Sequence, residues 1–221
     1  EFADRLHAKG NLLGVYASGI GWTQTSSIDS RYRRDDQFER ENLGTEMCRG
    51  PRDEMFALVC NGEPGKGQRI GYELCPSRRF TRDTVSQEIR QIVRADVDYL
   101  QFFDQNQGAG APLCYATGHG HPGAPGPWLT EAMRTLIAEA AATVRNEGKK
   151  AVLGCENAAA EPYIRDLPVN DLRNNLAWAI ARPVPAYSFL FHEYTNNFSG
   201  NAVCLGFWVD YERSPEFFFY R

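Results

Sequence analysis

The sequence predicts an α/β protein of parallel βα units, in the manner of a (β/α) barrel, of which this chain supplies only part. Three observations carry that expectation. Strand-like runs alternate with helical ones along the chain, the signature of parallel βα units. The strand-like runs are apolar throughout rather than alternating, as strands covered on both faces are. The long polar, glycine-rich excursions follow strands, where a barrel carries its working loops.

The elements follow in order. Phe2, Leu6 and the pair Lys9-Gly10 read as the end of an amphipathic helix with a glycine stop. Residues 11–17 (NLLGVYA) read as a buried strand. Residues 18–83 form a mixed, polar excursion rich in turn signals and carrying some local structure, with a Gly/Pro/Lys tip at 61–67. Val85, Ile89, Ile92 and Val93 then fall on one helix face. Residues 97–103 (VDYLQFF) read as a strand, followed by a second excursion from Asp104 to about Pro127. Leu129, Met133, Leu136, Ile137, Ala140, Ala141 and Val144 give the best helical periodicity in the chain, stopped by Gly148. Residues 151–155 (AVLGC) read as a short strand. Residues 176–181 read as helical or irregular, and Pro183 and Pro185 break them. Residues 186–191 (AYSFLF) read as the next strand, and the aromatic tail, 205–221, as the opening of a further helix.

The whole chain, 1–221, is expected to be a single domain. Only four strands are convincing, whereas a closed barrel has eight. A partial barrel is therefore expected, with the rest of a larger polypeptide as a partner. No GxGxxG or GxxxxGK[ST] turn follows any strand, so nothing points to a nucleotide.

Composition narrows the partners. Of 221 residues, 24 are Lys or Arg and 28 are Asp or Glu, a net charge of −4. That balance gives no general pull toward nucleic acid or an anionic membrane. No apolar run approaches the roughly 18 residues of a membrane span. The charged opening residues do not read as a signal peptide, and both a secreted and a cytoplasmic location stay open. The six cysteines include no CxxC pair, and mostly free, partly buried thiols are expected.

The chemistry concentrates where strands stop. Residues 97–103 run into Asp104, Gln105 and Asn106. Residues 151–155 run into Glu156 and Asn157, with Glu161 shortly after. Residues 186–191 run into His192, Glu193 and Tyr194. Neighbouring parallel strands lie about 4.8 Å apart, so these groups are expected to share one cleft. Two carboxylates across a cleft suit glycoside hydrolysis, one as acid on the leaving oxygen and the other as nucleophile or as base for water. Adjacent strand ends favour the shorter separation and hence retention. The plainer alternative is that Asp104 and Glu156 cap helices.

Two further signals stand beside the acids. His119 and His121 form an HxH pair in a glycine-rich loop, able to bind a transition metal with His192 and a carboxylate, or to contact sugar hydroxyls. No metal or cofactor is assigned. Trp22 and Tyr115, in loops after strands, offer flat aromatic faces of the kind pyranose rings stack on.

These residues carry a resemblance. The segments Gly14…Trp22, Leu74-Cys75-Pro76, Val97…Gln105, Cys114-Tyr115…Gly118-His119-Gly120-His121, Gly154…Asn157…Glu161-Pro162 and Tyr187…Tyr194 together resemble a glycoside-hydrolase-like TIM-barrel family described as a domain of unknown function. The likeness spans roughly residues 2–212. More broadly the chain resembles barrel glycosidases of the α-amylase and endo-α-N-acetylgalactosaminidase type. That resemblance implies a segment from about strand 3 to strand 6 or 7, with Asp104 at the nucleophile position and Glu156 at the acid/base position. It also implies substrate contacts from His192 and Glu193. The expected activity is a retaining glycosidase acting on an oligosaccharide or glycoside. The substrate-binding set is Trp22, Gln105, Tyr115, His119, His121, Asn157, Glu161, His192, Glu193 and Tyr194. A metal-dependent hydrolase built on the HxH loop and a non-catalytic carbohydrate-binding segment remain the alternatives.

Overall fold

The computed structural model describes residues 2–17, 19–58, 69–103, 113–172 and 186–198. Within them lies a five-stranded sheet, all parallel: β1 (Gly14–Tyr16), β4 (Tyr99–Phe103), β5 (Val152–Glu156), β6 (Val169–Asp171) and β7 (Asn196–Phe198). The strands stand side by side in that order, so the winding never reverses. The expected α/β class with a parallel sheet is what the chain adopts. Among the described residues the sheet does not close on itself.

Strand alternation divides the sheet into two unlike faces. Val15, Leu100 and Leu153 stand in register on one face, and Cys155, Asn170 and Asn197 continue it. Helices α3 (Arg79–Arg94) and α4 (Pro127–Asn146) cover that side. The core joins Val85, Ile89 and Val93 of α3 with Met133, Leu136, Ile137, Ala140 and Val144 of α4, over Leu100, Phe102, Leu153 and Cys155. Each fully buried aliphatic side chain here stabilises the fold by roughly 1.5–3 kcal/mol. The periodicity that predicted both helices is thus the stripe that meets the sheet. Gly148, at φ +67°, follows α4 in the left-handed conformation that glycine tolerates best.

The other face is polar. Register places Gly14, Tyr16, Tyr99, Gln101, Gly154, Glu156 and Asp171 on it. The Tyr99 ring lies over Gly14 and Gly154, where the absence of a side chain leaves it room. Its hydroxyl donates to Gln101 Oε1 at 3.1 Å.

Between β1 and α3 the chain builds a small layer of its own. β2 (Gly21–Ser26) and β3 (Arg69–Glu73) pair antiparallel. Helix α2 (Asp35–Arg40) and a 3-10 turn (Leu43–Glu46) pack with them around Trp22, Phe38, Leu43, Met47 and Leu74. Arg78 clamps Glu46 with two hydrogen bonds of 2.7 Å. Short helix α1 (Phe2–His7) is held at the opposite end of the sheet, where Asp98 accepts from the Leu13 N–H and meets His7 Nε2, both at 2.7 Å.

Two sequence expectations change, and the local structure expected in the excursion takes a definite form. Residues 186–191 are helix α5 (Ala186–Phe191), not a strand. A short apolar run fits either period, and here Tyr187 and Phe191, one turn apart, set their rings 5.0 Å from each other against the main core. Strands β6 and β7 were not expected, being three residues each and partly polar. Within the excursion, residues 21–26 and 69–73 are regular strands. The segments 61–67, 176–181 and 205–221 lie outside the described residues.

Candidate active site and a thiol–imidazole cluster

Glu156 is the last residue of β5 and is 2% exposed on the polar face. The Tyr16 hydroxyl, at the end of β1, donates to Glu156 Oε2 at 3.0 Å. On the neighbouring strand Asp171 stands directly in register with Glu156 and is 5% exposed. Gln101 is buried on β4, two strands along from Asp171. Four strands therefore deliver two carboxylates, a phenol and an amide toward one end of the polar face. The sequence identified Glu156 and missed Asp171, Tyr16 and Gln101. Asp171 closes a strand too short to show periodicity, and Tyr16 and Gln101 sit within runs read simply as apolar.

The electrostatics reflect a buried, acidic surface. Burial pushes the Cys155 thiol up to about 12, and the nearby Asp171 charge adds to the effect. Burial, then Cys155 and Asp171, likewise hold the Tyr99 phenol well above its ordinary value.

The other predicted residues scatter. Asp104 and Gln105 lie outside the described residues, and β4 ends at Phe103, the residue before Asp104. Asn157 follows Glu156 at φ +70°, and its N–H donates to the Asp171 carbonyl at 2.8 Å. Glu161 is exposed at the start of a 3-10 turn. Tyr115 is half-buried, its N–H bonded to the Arg49 carbonyl at 2.8 Å.

Trp22 is not a loop aromatic. It belongs to β2, is 4% exposed, and meets Phe80 at 5.7 Å and the Arg34 guanidinium at 5.4 Å. His192, Glu193 and Tyr194 do not follow a strand. They lie exposed in the turn between α5 and β7, at the amino end of the sheet, away from the end that carries Glu156. The cause is the helical state of residues 186–191, which reverses which end of an element they mark.

The HxH pair has partners other than those expected. Neither His192 nor a carboxylate joins it; instead Cys75 and Cys114 do. One ligand atom from each of Cys75, Cys114, His119 and His121 lies within 4.8 Å of all the others. Cys75 Sγ is 3.5 Å from His121 Nε2, and Cys114 Sγ is 3.5 Å from His119 Nδ1. Cys48, Cys75 and Cys114 are buried together and form no disulfide. Hydrogen bonds from Cys48 and Cys75 hold the Cys114 thiol far below its ordinary value, with His119 contributing. The Cys114 contact in turn raises His119 to about 9.

With this geometry in hand, the chain can be set beside known proteins. Aspergillus fumigatus Ega3 in complex with galactosamine is similar at a TM-score of 0.51 and 11% identity, over 96% of this chain and 72% of that one. An alpha-galactosidase from Thermus thermophilus, in complex with p-nitrophenyl alpha-D-galactopyranoside, is similar at 0.50 and 15% identity. The match covers 76% of this chain, which spans 28% of that enzyme's length. At such identities the likeness is one of fold, to TIM-barrel-like α/β structures. No curated protein matches the chain in sequence. One family model does match, across residues 2–201, and by that match the chain belongs to the family described as Domain of unknown function (DUF6259).

Proposed function

We propose that the chain is a stretch of a (β/α) barrel glycoside hydrolase that cleaves a glycosidic bond with retention. Asp104 attacks the anomeric carbon. Glu156 protonates the leaving oxygen and afterwards activates water. The observation that carries this reading is a buried Glu156 at the carboxyl end of β5, beside the strand that runs into Asp104. Working groups of a barrel gather at that end of its strands. The unreversed order of five parallel strands supports the barrel, since barrel staves follow one another in just this way. The fold likeness to an alpha-galactosidase supports the reaction class.

A general acid must hold its proton near neutral pH. Burial of Glu156 works in that direction, and so does a second carboxylate, Asp171, on the adjacent strand end. Tyr16 opposes it by donating to the ionised form. The substrate class proposed first is α-galactosides and galactosamine-containing glycosides, after the sugars bound to the two similar structures.

The test is a panel of aryl α-galactosides and galactosaminides, with product stereochemistry followed by proton NMR. Glu156→Gln and Asp104→Asn are each expected to lose about 10²–10⁴-fold in kcat/KM while keeping the parent far-ultraviolet circular dichroism. A folded variant with near-parental turnover, or inversion at the anomeric centre, overturns the assignment.

A further inference from the structure

The cluster of Cys75, Cys114, His119 and His121 is unused by the hydrolytic reading. Two stretches of chain supply it, and a third, around Arg49, supports it. Cys75 follows β3 and is fixed by its N–H on the Glu46 carbonyl at 3.0 Å. Residues 114–115 run beside Arg49, whose N–H donates to Cys114 Sγ at 3.4 Å while its carbonyl accepts from Tyr115. His119 and His121 lie a few residues on, in the same loop.

We propose that this cluster is a structural zinc site with Cys75, Cys114, His119 and His121 as its four ligands. Zinc binds thiolates at about 2.3 Å and imidazoles at about 2.0–2.1 Å, so the edges of its tetrahedron run about 3.3–3.8 Å. The two sulfur–nitrogen edges of 3.5 Å fall inside that span. Two thiolates with two imidazoles in tetrahedral array are donors that select zinc over calcium or magnesium. Four protein ligands leave no open position, which marks a structural rather than a catalytic site. Zn²⁺ takes both sulfurs as thiolates and both imidazoles neutral, so whatever protons these four groups carry pass to solvent, and no redox change occurs.

The surroundings orient the donors as metal ligands are usually oriented. His121 Nδ1 bonds the Pro122 carbonyl at 2.8 Å, which puts the proton there and leaves the Nε2 lone pair for the metal. The same ring stacks on Trp128, centroids 3.6 Å apart and planes within 7°. Trp128 is itself anchored through Nε1 to the Ala124 carbonyl at 2.8 Å. The Arg49 N–H on Cys114 and the Ser77 hydroxyl 3.1 Å from Cys75 support the two sulfurs. Cys48, though buried beside these sulfurs, is not among the four residues whose ligand atoms lie within 4.8 Å of one another, and its Sγ sits 3.4 Å from the Leu74 carbonyl.

Such a zinc ties the layer between β1 and α3 to the segment that carries Cys114, His119 and His121. The test uses the full chain, purified under reducing conditions, and does not depend on any activity. Elemental analysis is expected to find stoichiometric zinc. The apo chain reloaded with Co²⁺ is expected to show tetrahedral d–d absorption and a thiolate-to-cobalt charge-transfer band. Cys114→Ser and His119→Ala are expected to weaken Co²⁺ binding at least 10-fold, while Cys48→Ser keeps the parental spectrum. Should a ligand variant fail to fold, the parental cobalt spectrum decides. A reduced, folded chain that takes up neither metal overturns the site. So does a disulfide among these cysteines in the freshly purified protein, and loss of metal on Cys48→Ser overturns the ligand set.

Discussion

Tyr16 and Glu156, 140 residues apart in sequence, meet across the polar face of the sheet, the phenol donating to the carboxylate at 3.0 Å over the intervening strand β4. A donor to the ionised form favours it. Tyr16→Phe therefore raises the Glu156 pKa. A hydrogen bond to a charged group contributes about 1.5–3 kcal/mol when enclosed, and less with Tyr16 half exposed. On the proposed mechanism the basic limb of the kcat/KM profile moves to higher pH. An unmoved limb would show that Glu156 is not the group titrating there.

Asp171 acts with the opposite sign. Its carboxylate disfavours a second charge on Glu156, its partner in register. Asp171→Asn is expected to move the same basic limb to lower pH. The Tyr99 phenol, also raised in part by Asp171, should ionise at lower pH in that variant, which ultraviolet difference titration reads directly.

Gly154 has no room for a methyl group. A Cβ there would run into the Val169 carbonyl and lie 2.6 Å from the Tyr99 ring. Gly154→Ala is expected to destabilise the fold by about 1–3 kcal/mol or more, seen as a lower urea midpoint. Gly118→Ala, which meets nothing within 4 Å, is the control and should stay within about 0.5 kcal/mol of the parent.

The latch at the other end of the sheet is pH-dependent. The Asp98 hydrogen bond raises the His7 pKa, with help from the Asp98, Asp96 and Asp4 charges. The Leu13 N–H and then His7 lower that of Asp98. The His7 contribution is fully present below its unfolded value of about 6.5 and fades as pH rises through the raised value. The Asp98 contribution is present above about 3.9 and fades as pH falls below it. The hydrogen-exchange protection of residues 2–13, relative to the intrinsic rate at each pH, should be greatest between those limits. The His7 ring-proton midpoint should fall back toward 6.5 in Asp98→Asn.

What the sequence made legible tracks how regularly each element is buried. Helices α3 and α4 each press a continuous apolar stripe onto the sheet, so Val85, Ile89, Met133 and Leu136 stood out. Glu156 was legible because it abruptly ends a buried strand. Asp171 was hidden because Val169–Asp171 is a strand only by virtue of its neighbours, β5 and β7. Residues 186–191 misled because a six-residue run, apolar but for Ser188, carries too little periodicity to separate helix from strand. Cys114 lies only 5 positions from His119, but Cys75 reaches His121 from 46 positions away, and that juxtaposition is tertiary rather than local.

The layer around Trp22, Phe38 and Met47 has an evolutionary corollary. Because its buried side chains form a cluster separate from the one beneath the parallel strands, and it meets the scaffold through Phe80 of α3, its far side is free to vary between related chains while the packing that presents Glu156 stays fixed.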